Sequence, residues 1–421
     1  MREDYKSYIK VLEEELIPAM GCTEPISLSY GAARAMSLLK TKPTSVLVEA
    51  SPSIIKNVKS VVVPNTGHMK GIEVAVAAGI IGGDATKGLE VIAAMSEENK
   101  EAINDFLKEV PIKIEVLNSG HIFDIRITIK GEGKDSSVVR ITDYHTHITY
   151  EKSGDQVLLD FTGQASEESP TDRSFMSVEG IWDFVQAVNI DDVRAVLKRQ
   201  IDYNCAIAKE GMESNYGANI GSVLLKSWGD NVKNRACAYA AAASDARMDG
   251  CELPVVIVSG SGNQGITASI PVITYAQELK VEEDQLYRAL LLSDLIVIHE
   301  KTGIGKLSAY CGAVCAGAGA GAGIAYLNGG SYDDITHTIV NTLAVVSGMI
   351  CDGAKASCAA KIATSVHAGI MGYEMYQAGQ EFCAGDGIVA KGVEKAIENV
   401  GKLARNGMQE TNNEIIRIML D

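Results

Sequence analysis

Four of the nine cysteines lie between residues 311 and 358. Cys311 and Cys315 are four residues apart, and Cys351 and Cys358 are seven apart, so each pair shares one face if its segment is helical. Soft sulfur ligands favour zinc or iron–sulfur clusters, and three ligands to a four-iron cluster leave one iron open to act as a Lewis acid. Because the CxxC and ferredoxin spacings are lacking, small buried thiols in tightly packed helices explain the pattern equally well.

A fifth cysteine, Cys22, stands in the segment GCTEP, in which Thr23-Glu24-Pro25 is typical of a helix start. The partial positive charge at a helix N-terminus favours a thiolate. The sequence therefore predicts a thiolate that removes a proton or attacks a substrate. The alternative is an inert cysteine near a helix end.

Three histidines have contexts that permit chemistry. His68 lies in PNTGHMKG, after an apolar run at Val61–Val63 that predicts a strand, and is a candidate general acid or base or a turn histidine bonded to backbone. His145 and His147 are predicted to share one face of a strand. That arrangement can bind metal, but an exposed sheet face explains it more simply.

The segment SGSGNQG, residues 259–265, follows an apolar strand and precedes a helical pattern. Its exposed amides could hold a carboxylate or a phosphate, although a Gly-rich turn that permits close packing is the alternative. A loop of this kind also suits pyridoxal phosphate. Lys301, Lys306 and Lys355 are near in sequence, but none has a context that requires a Schiff base.

The elements that position these residues change character along the chain. Residues 1–40 predict two helices interrupted at Pro18–Pro25, Val46–Val48 predicts a strand, and alternation from Ile112 to Asp160 predicts an antiparallel meander. The remainder is almost all helical in pattern. We therefore predict an α+β fold: a mixed α/β domain with antiparallel strands at 1–168, and a mostly helical domain carrying the cysteine cluster at 169–421.

Composition restricts the partners. The 421 residues carry a net charge of -16 and a pI near 5.0, which argues against nucleic acid and anionic membranes as partners. With neither a signal-peptide pattern nor an 18-residue apolar span, the sequence predicts a soluble cytoplasmic protein, which we expect to be a homodimer. The run CGAVCAGAGAGAGIAY predicts a buried helix with close neighbours rather than a membrane segment.

Taken together, GCTEP, PNTGHMKG, SGSGNQG, the Cys311 segment and GMICDGAKASC resemble the L-cysteine desulfidase family, relatives of the iron–sulfur L-serine dehydratases of alpha-chain type. The resemblance covers essentially the whole chain. It implies a 4Fe-4S cluster and the conversion of L-cysteine and water to pyruvate, ammonia and hydrogen sulfide. It further implies that Cys311, Cys351 and Cys358 bind the cluster, that Cys22 acts at the substrate and that Cys315 is a structural neighbour.

The expected mechanism follows from these roles. The open iron would bind the substrate sulfur or carboxylate, while Cys22 or His68 takes the α-proton. The remaining candidates are substrate-binding residues: Ser261, Asn263 and Gln264 for the carboxylate, and Glu24 or Asn65 for the ammonium group.

Two other interpretations stay open. Serine dehydratases have a Ser/His-rich segment where this chain has GCTEP, which favours cysteine as substrate, but the sequence also permits an iron–sulfur dehydratase of serine or another small β-substituted amino acid. A non-catalytic protein that stores or senses iron or sulfur is the alternative of another class.

Overall fold

The computed structural model describes residues 3–162, 171–305 and 307–420. Within these ranges the fold is α+β, as predicted, with strands concentrated in the first half and helices in the second. The strands are β1 (Pro18–Met20), β2 (Ser45–Ala50), β3 (Ile112–Val116), β4 (Asp124–Lys130), β5 (Ser136–Thr142), β6 (Ile148–Ser153), β7 (Gln156–Asp160) and β8 (Pro254–Val256). The helices of the first half are α1 (Glu3–Glu15), α2 (Thr23–Leu38), α3 (Pro52–Val58), α4 (Ile72–Gly82) and α5 (Glu97–Glu109).

The second half contributes α6 (Val178–Ala187), α7 (Arg194–Glu213), α8 (Ile220–Trp228), α9 (Val232–Met248), α10 (Gly262–Leu279), α11 (Glu283–Ile304), α12 (Gly312–Leu327), α13 (Tyr332–Val346), α14 (Ser357–Gln377), α15 (Val393–Lys402) and α16 (Gln409–Leu420). None of the helices in the described part of the chain is long and apolar enough to cross a membrane.

Six strands form one sheet in the order β3-β2-β4-β5-β6-β7. The predicted antiparallel meander is confirmed for β4 to β7, but β3 pairs with β2 in parallel. A parallel pair requires a crossover connection, which the helices between β2 and β3 supply. The alternating isoleucines Ile125, Ile127 and Ile129 are fully buried on one face, against which α2 packs.

Two local predictions were wrong. Val61–Val63 forms only an isolated bridge, from Val62 to Lys70, and the short helix α3 precedes it. The two histidines of the meander do not share a strand face, because they lie in the turn that connects β5 to β6. Polar and apolar residues alternate through this turn as they do in a strand, so the sequence did not indicate it. Its backbone hydrogen bonds are local; for example, Tyr144 N–H donates to the Thr142 carbonyl at 2.7 Å.

The glycine-rich run forms α12, a buried helix packed against α10, α11, α13 and α14, as predicted. Its glycines permit close backbone contact. A Cβ added to Gly317 would lie 2.4 Å from the carbonyl oxygen of Ser365, and one added to Gly369 would lie 2.2 Å from that of Gly317. These contacts fix the spacing between α12 and α14.

Among the contacts between the N-terminal residues and the helical half, two are a ring stack and a strand pair. The ring of Tyr8 stacks on Phe184 of α6 with centroids 4.9 Å apart, and β1 pairs with β8 in antiparallel fashion. This two-stranded ladder ends just before Cys22 on one side and just before the 259–265 loop on the other. The predicted boundary at 168/169 falls in residues 163–170, outside the described part of the chain.

Candidate functional site

One partly enclosed cavity receives residues from both halves of the chain. Eight of the ten predicted site residues border it: Cys22, Glu24, Ser261, Asn263, Gln264, Cys311, Cys351 and Cys358. The sequence analysis considered His145 only as one of a strand pair, and it did not identify several other lining residues, including Lys56, Asn57, Arg247, Tyr310 and Lys361.

The three thiols of the helical half reach the cavity from adjacent segments. Cys311 is the N-cap of α12, Cys351 lies between α13 and α14, and Cys358 is the second residue of α14. Backbone bonds from Cys311 N–H to Met349 C=O (3.0 Å) and from Cys351 N–H to Ala309 C=O (2.6 Å) hold the first two segments together. Burial raises the pKa of the Cys311 thiol, and the proximity of Cys351 and Cys358 raises it further.

Among the described residues, no group of three or more His, Cys, Asp or Glu side chains is arranged to hold a single metal ion. The three cysteines border one cavity, and in a four-iron cluster each thiolate binds a different iron. The donor set is soft, and the nearby ammonium of Lys361 favours the thiolate forms of Cys311 and Cys358. These residues therefore have the donor chemistry that an iron–sulfur cluster requires.

Cys22 is the N-cap of α2 and lies near the start of the chain, far in sequence from these three thiols. It follows Gly21, whose φ is 61° and where a Cβ would lie 2.1 Å from Pro64 Cγ, so only glycine fits there. The Cys22 thiol donates to Glu24 Oε2 at 3.1 Å. Burial raises the pKa of this thiol well above its ordinary value, and the charge of Glu24 adds to the effect.

The prediction of a thiolate at Cys22 was therefore wrong. The helix N-terminus does favour negative charge, but removal from water and the adjacent carboxylate outweigh it. The group that the structure presents is a protonated thiol bonded to a carboxylate.

Glu24 is a buried carboxylate with several donors. Besides the thiol, Asn57 Nδ2 donates to Oε1 at 2.9 Å and the Thr23 hydroxyl lies 3.1 Å from Oε2. Burial alone would raise the pKa of Glu24, but the charge of His145 and the hydrogen bonds from Cys22 and Asn57 bring it below its ordinary value. Glu24 is therefore ionised inside the cavity wall.

His145 is held in the β5–β6 turn beside Glu24. Ser27 Oγ donates to the His145 carbonyl at 2.8 Å, and the imidazole packs edge-on against Phe123 with centroids 4.9 Å apart. The sequence singled out this histidine as part of a strand pair. The turn brings it to the cavity instead, a result of long-range packing that sequence spacing does not reveal.

The 259–265 loop lies directly beside GCTEP. The Thr23 hydroxyl lies 3.1 Å from the Gly260 carbonyl, to which it can donate, and α10 begins at Gly262. Asn263 Oδ1 accepts from Arg247 Nη1 at 3.1 Å. Gln264 is buried, and its Oε1 has no partner among the described residues.

His68 and Asn65 do not border the cavity. Asn65 is buried, where its Nδ2 donates to the Ile92 carbonyl at 2.8 Å. His68 is exposed in a turn, with a φ of 64°. The PNTGH segment thus supports the wall behind Cys22, through the contact of Pro64 with Gly21, without supplying these two side chains to the cavity.

Of the lysines considered for a Schiff base, Lys301 borders the cavity but donates to the Gly305 carbonyl at 2.8 Å. Lys355 pairs with Asp352 at 3.1 Å. Lys306 lies outside the described residues.

A buried cavity that combines thiols, an ionised carboxylate and a guanidinium is typical of enzymes that act on small charged metabolites. Residues 86–417 match the family model for the serine dehydratase alpha chain, and this chain belongs to that family. The match confirms the predicted relation to the alpha-chain type of serine dehydratase and identifies a lyase-type family that resembles amino-acid dehydratases.

Similar proteins cover the chain from end to end. A UPF0597 protein of Desulfitobacterium hafniense (strain Y51) is 58% identical over 419 residues, which are 99% of this chain and 97% of the relative. A UPF0597 protein of Lachnoclostridium phytofermentans is 49% identical over 99% of this chain and 100% of its own length. One from Treponema denticola is 44% identical over 100% of this chain and 99% of its own.

Proposed function

We propose that this protein is an L-cysteine desulfidase, which converts L-cysteine and water to pyruvate, ammonia and hydrogen sulfide with an iron–sulfur cluster. The observation that carries the proposal is that the Cys22–Glu24 pair and the three thiols of Cys311, Cys351 and Cys358 border one cavity. A pair that can move a proton and a soft metal-binding set are the two components that β-elimination of sulfide requires.

The three thiols would hold a 4Fe-4S cluster, which supplies an open Lewis-acid iron for the departing sulfur. The other components come from the chain itself. Glu24 Oε2 accepts the proton of Cys22 Sγ across 3.1 Å, and the thiolate so formed takes the α-proton of the substrate. The electrons of the broken Cα–H bond form the Cα=Cβ bond as the Cβ–S bond breaks. Aminoacrylate then leaves and hydrolyses to pyruvate and ammonia.

This assignment makes Cys22, backed by Glu24, the base in place of His68. The carboxylate is suited to this role because it is ionised and fixed by Asn57, while burial limits competition from water. Cys22 alone is a weak base since its thiol is protonated at rest. The ammonium group of a substrate placed beside Cys22 would lower the pKa of its thiol and shift the balance toward the thiolate.

The second candidate is an iron–sulfur dehydratase of L-serine or another small β-substituted amino acid. It is favoured by one observation, the match of residues 86–417 to the serine dehydratase alpha chain. The same base and cluster would then expel hydroxide instead of sulfide. A protein that only stores or senses iron or sulfur would bind a cluster and show no turnover.

Anaerobic analysis of iron and acid-labile sulfide, with hydrogen sulfide and pyruvate assayed in parallel, tests these functions. We expect Cys311→Ala, Cys351→Ala and Cys358→Ala to lose iron and turnover together. Cys383→Ala is the matched control, because Cys383 is exposed and does not border the cavity. Wild-type iron content in any of the first three variants would contradict the ligand assignment.

Two further variants separate the base from the cluster. We expect Cys22→Ala and Glu24→Gln to retain iron and lose turnover. The desulfidase is supported if sulfide release from cysteine far exceeds pyruvate formation from serine. The dehydratase is supported if pyruvate formation from serine far exceeds sulfide release from cysteine. A bound cluster without either activity would support the storage or sensing function.

A further inference from the structure

Arg247 is a buried guanidinium on the cavity wall that the proposed elimination does not use. It lies in the last turn of α9, is 3% exposed and borders the cavity. Its Nη1 donates to Asn263 Oδ1, whereas Nε has no partner among the described residues. It also forms no salt bridge with a described carboxylate.

Two partly buried arginines of this chain do have a carboxylate partner. Arg140 forms two hydrogen bonds to the buried carboxylate of Asp124, and Arg173 pairs with Glu15. Keeping a charge out of water without an ionic partner is costly, so buried charges in proteins are normally paired. The position of Arg247 therefore indicates an anion that is supplied from outside the chain.

The backbone beside Arg247 favours the same charge. A Cβ added to Gly262, the first residue of α10, would lie 2.4 Å from Arg247 Nε and 2.7 Å from Cζ, so the guanidinium lies against the start of this helix. The N-cap Ser261 makes no side-chain capping bond, which leaves the first-turn N–H groups without that partner. A guanidinium and a helix N-terminus repel each other unless an anion lies between them. The C-terminus of α9, where Arg247 lies, contributes a partial negative charge of its own.

We propose that Arg247 and the first turn of α10 bind the α-carboxylate of the substrate. The inference rests on the proposed function in one respect, which is that the substrate is a small amino acid. A planar guanidinium can bind both carboxylate oxygens, and the uncapped amides of α10 can donate to them. Asn263 then has the role of holding the guanidinium through Nη1.

The charge pattern of the cavity orients such a substrate. The ionised Glu24 lies on the wall formed by α2, and Arg247 provides the opposite charge on the wall formed by α9 and α10. Arg247, Cys22 and Cys358 border the same cavity, so a carboxylate bound to Arg247 shares that cavity with the proposed base. The site thereby selects zwitterionic α-amino acids over amines and amino esters.

The test measures binding of L-alanine and L-alaninamide to the anaerobic holoenzyme by calorimetry. L-Alanine has the α-carboxylate and the ammonium group but no leaving group, so its binding does not depend on which elimination the enzyme catalyses. We expect the wild-type protein to bind L-alanine at least 10-fold more tightly than the amide. If the wild-type protein binds the two ligands equally, or does not bind L-alanine, that measurement alone overturns the proposal.

Arg247→Met should weaken L-alanine binding about 100-fold. Arg247→Lys should weaken it about 10-fold, because the ammonium group keeps the charge but cannot bind both carboxylate oxygens as the planar guanidinium does. With a reactive substrate, KM should rise more than kcat falls. Arg235→Met, in the same helix but paired with Asp230 and Glu278 away from the cavity, is the matched control. L-Alanine binding by Arg247→Met within twofold of wild type would overturn the proposal. Carboxylate-dependent binding without release of sulfide from cysteine would support this site while refuting the desulfidase.

Discussion

Replacing Gly317 with alanine tests whether the spacing of α12 and α14 is fixed by backbone contact. The new methyl carbon would lie 2.4 Å from the Ser365 carbonyl oxygen and 2.6 Å from its carbon, whereas ordinary contacts begin at 3.4 Å. The two helices must therefore separate by about 1 Å, because the obstructing atoms belong to the backbone and cannot rotate away.

Overpacking of this kind costs about 1–3 kcal/mol, and the better helix propensity of alanine returns up to about 1 kcal/mol. The expected net loss is about 1–2 kcal/mol in the free energy of unfolding. For 421 residues the entropy of unfolding is about 0.9 kcal/mol per kelvin, so the melting temperature should fall by about 1–2 °C in calorimetry.

The matched control is Gly303→Ala in α11, where the added carbon meets only Gly401 Cα at 3.8 Å. This variant should be as stable as wild type or slightly more stable. Equal melting temperatures for the two variants would refute the packing argument. Because Gly317 lies about 9 Å along α12 from Cys311, the iron bound per chain should also fall in Gly317→Ala and not in the control.

Two predictions concern buried carboxyl groups. Asp124→Asn should lower the free energy of unfolding by about 3 kcal/mol in chemical denaturation, because it removes the buried charge that pairs with Arg140 on the sheet. The control is Asp105→Asn, in an exposed pair with Lys108, which should change stability by less than about 0.5 kcal/mol. Equal effects of the two substitutions would contradict the role of burial. Burial raises the pKa of Asp294 to about 7 despite a hydrogen bond from Gln200. Because the folded protein keeps this proton to a higher pH than the unfolded chain, whose carboxyl titrates near 3.8, wild type loses stability from pH 4 to pH 7. Asp294→Asn should therefore gain several kcal/mol over wild type at pH 8 and less at pH 5, and a pH-independent difference would argue against this titration.

The sequence predicted well where neighbouring residues decide the outcome. The alternating isoleucines correctly predicted β4, and the glycine run correctly predicted the buried helix α12. The segments GCTEP and SGSGNQG, which were identified as candidate site segments, both contribute side chains to one cavity. Short motifs retain their local geometry because helix caps and tight turns are specified by a few adjacent residues.

Long-range packing determined what the sequence missed. Arg247 and His145 reach the cavity from the end of a helix and from a turn. Nothing in the residues next to Arg247 marks it, and the pattern around His145 indicated a strand instead. The thiolate predicted for Cys22 was wrong for the same reason, because spacing along the chain does not reveal how deeply a side chain is buried or how close Glu24 Oε2 lies.

The ladder between β1 and β8 has a consequence for the order of events in the cell. It pairs residues 18–20 with residues 254–256, so the wall that carries Cys22 cannot close until more than half of the polypeptide has left the ribosome. Cys358 emerges later still. The cluster proposed above would therefore enter a nearly finished protein. Because burial raises the pKa of the Cys311 and Cys358 thiols, its insertion would release protons to the surrounding solution.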